Sequence, residues 1–153
     1  MKTFSLHGVF KFQKVSREKM NHEQIAAKLE EKNIRPSVQR MAIYKFLAEH
    51  PVHPTVDTIY TALSPQMPTL SRTTVYNTLK QFSECGLVQT ITIEDGELRY
   101  DADTSNHLHF KCVKCGKIFD IFKPVELPSQ FLQDGFKAEK IQTNIWGICK
   151  DCS

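Results

Sequence analysis

Apolar positions recur at helical spacing through the first half of the chain and alternate through the second. Behind Asn21, a suitable N-cap, Ile25, Leu29 and Ile34 form a broken helical stripe, and Asn33 is placed to stop it. Pro36 stands where a second helix can begin, and Val38, Met41, Ala42 and Phe46 carry helical spacing through residues 36–49. Pro51 and Pro54 punctuate the link that follows, and Thr55 can cap a short helix with Val56, Ile59, Tyr60 and Leu63 on one face. Ser71 caps a fourth helix. Leu70 and Val75 stand at the staple positions around it, Val75, Leu79 and Phe82 form its apolar stripe, and Gly86 ends it.

The pattern then changes period. Leu87 to Ile93 is β-branched and alternating, Glu94-Asp95-Gly96 is a turn, and Leu98-Arg99-Tyr100 returns. Short helices followed by a two-stranded hairpin predict a winged helix over residues 21–101. The small polar run 102–106 reads as a hinge. Beyond it, strands are expected over His107–Cys112, Lys117–Phe122 and Phe136–Ile145, with a short helix around 125–133. Leu108 and Phe110 are expected to face the core of this second domain, residues 107–153. The fold class is α+β. Residues 1–20 form an extension that reads as a loose arm or an extra helix.

Composition narrows the classes. Hydrophobic residues make up 41% of the chain, enough for a packed core. No apolar run approaches the roughly 20 residues that span a bilayer, and residues 1–20 lack the features of a signal peptide. A cytoplasmic protein without a membrane partner is expected. The net charge of +3 is concentrated in residues 1–20, which hold five basic side chains against one acidic, so any DNA-binding surface must be local.

The fourth helix offers such a surface. Opposite its apolar stripe lie Thr73, Thr74, Tyr76, Asn77, Lys80 and Gln81, hydrogen-bonding groups with one cation. Ser71, Arg72 and the free N–H groups of the first turn suit phosphate, and the polar arc suits base edges in a major groove. A solvated amphipathic face would look the same by itself; the wing that follows favours DNA.

Cys112-Val-Lys-Cys115 and Cys149-Lys-Asp-Cys152 are two C-x-x-C knuckles. Together they supply four thiolates for a tetrahedral structural zinc, closed to substrate, so no enzyme activity is expected at this metal. A thiol redox enzyme using these pairs and a zinc-stabilised interaction module are the alternatives. Cys85, the fifth cysteine, reads as a small buried apolar residue.

His107 and His109 are two apart on a strand, so both imidazoles face one side. His53, Asp101 and Asp120 are further metal-ligating types, near the hinge or in the proline-flanked loop. Spacing alone does not join the five.

His53-Pro-Thr-Val-Asp-Thr-Ile-Tyr60, Thr74-Val75-Tyr76, His107-Leu-His109-Phe-Lys-Cys112-Val-Lys-Cys115-Gly-Lys and Gly147-Ile-Cys149-Lys-Asp-Cys152 resemble the ferric uptake regulator family, over residues 21–153. The resemblance implies a homodimer bound to double-stranded operator DNA, with N-terminal winged helices, C-terminal dimerisation domains and a regulatory metal at the hinge. His53, Asp101, His107, His109 and Asp120 match the ligand set of the family's peroxide-responsive branch. Iron-sensing relatives commonly have glutamate at the Asp101 and Asp120 positions and arginine at the Asn77 position. They often carry a further metal site, for which Asn106, Leu108 and the histidine-free segment 136–147 offer no ligands. A shell of three nitrogens and two oxygens suits Fe(II) or Mn(II), with one octahedral position left for peroxide. The resemblance implies that hydrogen peroxide is the signal and that its reaction with bound Fe(II) oxidises His53 or His107. An iron-responsive repressor with the same ligands and little peroxide sensitivity is the alternative within the family.

Overall fold

The computed structural model describes residues 19–123 and 132–153. Four helices come first: α1 (His22–Glu31), α2 (Val38–Glu49), α3 (Val56–Leu63) and α4 (Arg72–Glu84). Each begins at a polar side chain that satisfies a free first-turn N–H. Asn21, Ser37, Thr55 and Ser71 accept from the amides of Gln24, Arg40, Thr58 and Thr74. At α1 the cap is reciprocal, because the Gln24 side chain accepts from the Asn21 amide at 2.8 Å. Asn33 ends the first helical segment in the left-handed region, at φ 57°.

The four helices close around Ile25, Leu29, Ile43, Leu47, Ile59 and Phe82. On α2 the predicted stripe is corrected. Met41 is buried as expected, but Val38 is 78% exposed and Ala42 and Phe46 are only partly covered. The deep positions are Ile43, Tyr44, Leu47 and Ala48. The reason is position: α2 touches α1, α3, α4 and the second wing strand. A helix surrounded on several sides buries a wide arc, and Val38 in its first turn lies beyond that cover.

The wing follows as β1 (Gln89–Glu94) and β2 (Glu97–Asp101), antiparallel, closed by Gly96 at φ 74°. Six residues later a second sheet begins, of order β4-β3-β5, from β3 (Leu108–Cys112), β4 (Ile118–Ile121) and β5 (Asn144–Gly147). β3 pairs antiparallel with β4 and parallel with β5. The strand expected over 136–145 is displaced to 144–147. β3 offers only five residues, so β5 pairs from His109↔Asn144 to Cys112↔Gly147. Upstream, Lys140 and Gln142 turn their side chains to Thr90 and Thr92 of the wing instead. The helix expected around 125–133 lies, apart from its last two residues, outside the described residues, as does most of the 1–20 extension.

The two faces of β3 meet the expectation only in part. Leu108 is buried, but Phe110 is only partly covered, while His107 and His109 are 7% and 2% exposed. The winged-helix half covers the histidine face. Phe110 packs on the other face against Gly147, where an added Cβ would stand 2.9 Å from the ring. Cys85 is half-buried at the end of α4, its thiol donating to the Phe82 carbonyl. No helix among the described residues is long and apolar enough to cross a membrane.

Phe82 is fully buried and meets Tyr44 edge-on at 6.1 Å. Phe82→Ala should therefore cost about 3–5 kcal/mol of unfolding free energy. Val38→Ala should stay within about 0.5 kcal/mol. Urea denaturation of both variants checks the pair.

Candidate metal centre and DNA-facing helix

Five side chains from four parts of the chain meet between the two sheets. His53 comes from the α2–α3 loop, Asp101 from the end of β2, His107 from the residue just before β3, His109 from within β3, and Asp120 from β4. One donor atom from each lies within 4.8 Å of every other. Strand pairing accounts for part of this, since His109 is opposite Asp120. The wing delivers Asp101, and the loop delivers His53 at a local cost. His53 adopts φ 52°, the left-handed region that costs a residue with a Cβ about 1–2 kcal/mol. Two hydrogen bonds hold the loop there: Arg99 Nη1 donates to the His53 carbonyl, and the Tyr100 amide to that of Pro54, both at 3.1 Å.

The donors point at a common space more than at one another. His107 Nε2 lies 3.0 Å from Asp101 Oδ2 and 3.4 Å from Asp120 Oδ1. His109 Nε2 is 3.8 and 3.7 Å from the same two oxygens. His53 Nε2 approaches Asp120 Oδ1 to 2.7 Å, an ion-pair contact, though neither atom has a hydrogen-bond partner. Both ring nitrogens of His109 and Nδ1 of His53 are likewise buried without a partner. Each such atom costs about 1–3 kcal/mol unless something accepts its lone pair or proton. Donors on one ion, with bonds near 2.1 Å, stand about 3 Å apart when adjacent and about 4.2 Å when opposite. The spacings here, 2.7 to 3.8 Å, lie in or just below that range, so the cluster fits a divalent cation.

Two partners outside the cluster orient it. His107 places Nδ1 2.9 Å from the Ser105 carbonyl, which fixes the proton there and leaves Nε2 for the centre. The Asp103 amide donates to Asp101 Oδ1 at 2.8 Å and turns Oδ2 inward. Burial pulls the His53 and His107 pKa values down. The Asp101 and Asp120 carboxylates more than reverse this, lifting His53 to about 9 and His107 to about 10. Burial works against the carboxylates too, and the imidazoles overcome it, holding Asp120 at about 2 and Asp101 well below the carboxylate range. Imidazole ligates only when neutral, so a bound cation must displace these protons and its affinity rises with pH.

The second cluster is Cys112, Cys115, Cys149 and Cys152, whose sulfurs also lie within 4.8 Å of one another. Gly116, at φ 72°, turns the first knuckle between β3 and β4, and β5 leads into the second. Cys115 and Cys149 Sγ are 3.8 Å apart, too far for a disulfide and equal to the edge of a tetrahedron with metal–sulfur bonds of about 2.3 Å. Amides of Cys115 and Cys149 point at Cys112 Sγ and lower its pKa to about 6, which favours the thiolate a metal needs. The cluster fits structural zinc. Cys85 belongs to neither group.

On α4, Tyr76 is 48% exposed, and Thr73, Asn77 and Lys80 are open as well. Ser71 spends its hydroxyl on the cap, and Thr74 is half-covered beside it. Arg72 stacks 4.1 Å over the Tyr60 ring and donates to Asp57 at 2.7 Å. The helical pattern alone does not reveal that tie, because its partners are on α3.

A family model described as the ferric uptake regulator family matches residues 31–146. The chain belongs to that family. It is 40% identical over 141 residues to a peroxide-responsive repressor, PerR, of Staphylococcus epidermidis, covering 88% of this chain and 93% of that one. The solved PerR of Streptococcus pyogenes is 32% identical with a TM-score of 0.50, covering 90% of this chain and 97% of that one. The ferric uptake regulator of Francisella tularensis, solved with iron, is 25% identical with a TM-score of 0.62, covering 78% and 94%. The chain has an α+β architecture, a winged helix followed by a small domain that carries the four-cysteine cluster.

Because β5 and the chain's end meet β3 through the cysteine cluster, Cys149→Ser should cost the protein its zinc. It should also lower hydrogen-exchange protection over β3, β4 and β5 while α1–α4 keep theirs. Elemental analysis and exchange mass spectrometry read both.

Proposed function

We propose that this chain is a cytoplasmic, metal-dependent repressor that releases operator DNA in response to hydrogen peroxide. The observation that carries the reading is the convergence of five donor atoms from both sides of residues 102–106. Residues 21–101 act as the DNA-binding domain, 102–106 as the hinge and 107–153 as the dimerisation domain. A cation that binds all five favours the arrangement in which they are assembled, and so fixes the winged helix relative to the second domain. The resident cation is Fe(II) or Mn(II), held by His53, Asp101, His107, His109 and Asp120; zinc, held by Cys112, Cys115, Cys149 and Cys152, is structural.

The chain's own groups define what happens at the centre. His107 is oriented by Ser105 and presents Nε2. His53 is held in a strained loop by Arg99. Loss of either imidazole as a ligand removes the hold between the halves. Iron(II), held by these five residues, would catalyse the reaction in which hydrogen peroxide, the two-electron oxidant, puts one oxygen atom on His53 or His107 and leaves the other as water. A second copy of the chain covers the apolar face of the second domain, where Phe136, Ile145 and Ile148 are exposed in the single chain. In the dimer each α4 enters a major groove. Tyr76, Asn77 and Thr73 meet base edges there, and Ser71, Arg72, Thr74 and Lys80 meet the backbone. The 40% identity to a peroxide-responsive repressor supports the signal.

Peptide mass spectrometry of the Fe(II) form after peroxide should find one added oxygen on His53 or His107, and none in the Mn(II) form. Oxidation confined to cysteine would contradict the mechanism; Fe(II)-dependent binding that survives peroxide would leave an iron-responsive repressor. For the DNA face, Tyr76→Ala or Asn77→Ala should each weaken specific operator binding by about tenfold or more, with the fold intact by circular dichroism. Unchanged operator affinity in both variants would remove α4 from the contact surface.

A further inference from the structure

Beside the His/Asp cluster stand three charged side chains, Glu94, Arg99 and Lys111, paired with one another. Glu94 closes the wing strand β1. Its Oε1 accepts from Arg99 Nη2 at 3.0 Å and from Lys111 Nζ at 2.6 Å, and its Oε2 accepts from Arg99 Nε at 3.1 Å. The three side chains are only 16–21% exposed. Arg99 spends its remaining donor on the carbonyl of His53, the residue held at positive φ.

The backbone explains why these groups meet. Between Ile91 and Glu94, β1 advances three residues while β2 moves two, from Arg99 to Glu97. The extra residue is a bulge, and it shifts the phase of the alternation. Glu94 therefore shares the face of Glu97, Arg99 and Asp101 rather than the opposite one. On β3, Lys111 follows His107 and His109 at steps of two, so it shares their face. The face of β2 that carries Asp101 thus meets the face of β3 that carries the histidines, and Glu94 joins them at the next position along. Ile91, Ile93 and Ile118 pack beneath the junction, and Trp146 donates to the Ile93 carbonyl at 3.2 Å.

We propose that Glu94 and Lys111 are positioning residues for the metal centre: their ion pair ties the wing to β3 and, through Arg99, holds the His53 loop against the histidines. The inference rests on reading the His/Asp cluster as a divalent-cation site. Glu94 fits the role electrostatically. Arg99 first, and Lys111 with it, hold its carboxyl at about 2, so it stays ionised throughout the range in which imidazoles ligate. Lys111 is the informative residue. Its neutral replacement cuts the Glu94–Lys111 contact between the wing and β3 yet leaves the Glu94–Arg99 pair inside the wing intact.

The test is Mn(II) titration of the full-length, zinc-loaded protein. Lys111→Met and Glu94→Gln should each raise the Mn(II) Kd about fivefold, the upper range for one partly buried ion pair. The double variant should be no weaker than Glu94→Gln alone, because that substitution already removes the contact with Lys111. Lys111→Arg should return to within about twofold of the wild type. Zinc content and the thermal midpoint of the Mn(II)-free Lys111→Met protein should not change, which a merely structural role would not predict. Wild-type Mn(II) affinity in Lys111→Met, or additive effects in the double variant, would overturn the proposal. Failure of the metal-site reading looks different: the wild type then takes up no Mn(II) beyond its zinc, and His109→Ala alters nothing.

Discussion

A small buried space into which three imidazoles and two carboxylates aim their lone pairs is costly to leave as it is. The constraint is electrostatic. The carboxylates cannot both sit there as anions without positive charge nearby, and His53 and His107 supply it only by keeping protons, as their raised pKa values show. Even so, the buried nitrogens of His53 and His109 find no hydrogen-bond partner. One divalent cation would answer both deficits. The rest of the molecule is arranged around that requirement: the wing ends at Asp101, the α2–α3 loop is strained at His53, and His107 just before β3 shares a face with His109 within it. Cation binding and the relative placement of the two halves are therefore one equilibrium, as linkage demands.

The cysteine cluster obeys different physics. Its four sulfurs come from segments that the small sheet already brings together, the β3–β4 turn and the stretch after β5. Thiolates bind zinc tightly and make a closed site. Such a centre anchors the chain and leaves no position for a signal. The two clusters thus divide the work by donor type: sulfur for permanence, nitrogen and oxygen for a cation that can be exchanged or can react.

On the DNA-facing side, the same economy of contacts is visible. Arg72, at the first turn of α4, is not free in solvent. Asp57 and Tyr60 of α3 hold it, exposed but oriented.

Much of this was legible from local residues. Asn21, Thr55 and Ser71 announce their helices because a cap is a hydrogen bond within three residues. Asp95-Gly96 announces the wing because only some residues tolerate positive φ. The C-x-x-C pairs announce a metal because their spacing suits one ion, and His107 and His109 share a face because a strand has period two. What the sequence could not decide involves distance along the chain. Which face of α2 is deepest depends on how many neighbours surround it, and β5 begins at Asn144 because β3 is short. That His53 meets Asp120, and that a bulge turns Glu94 toward Arg99 and Lys111, are consequences of how two separately patterned halves lie against each other. Local preference sets what each segment becomes. Only the packing of distant segments decides which polar groups end up sharing a buried space, because the cost of that burial is felt by all of them at once.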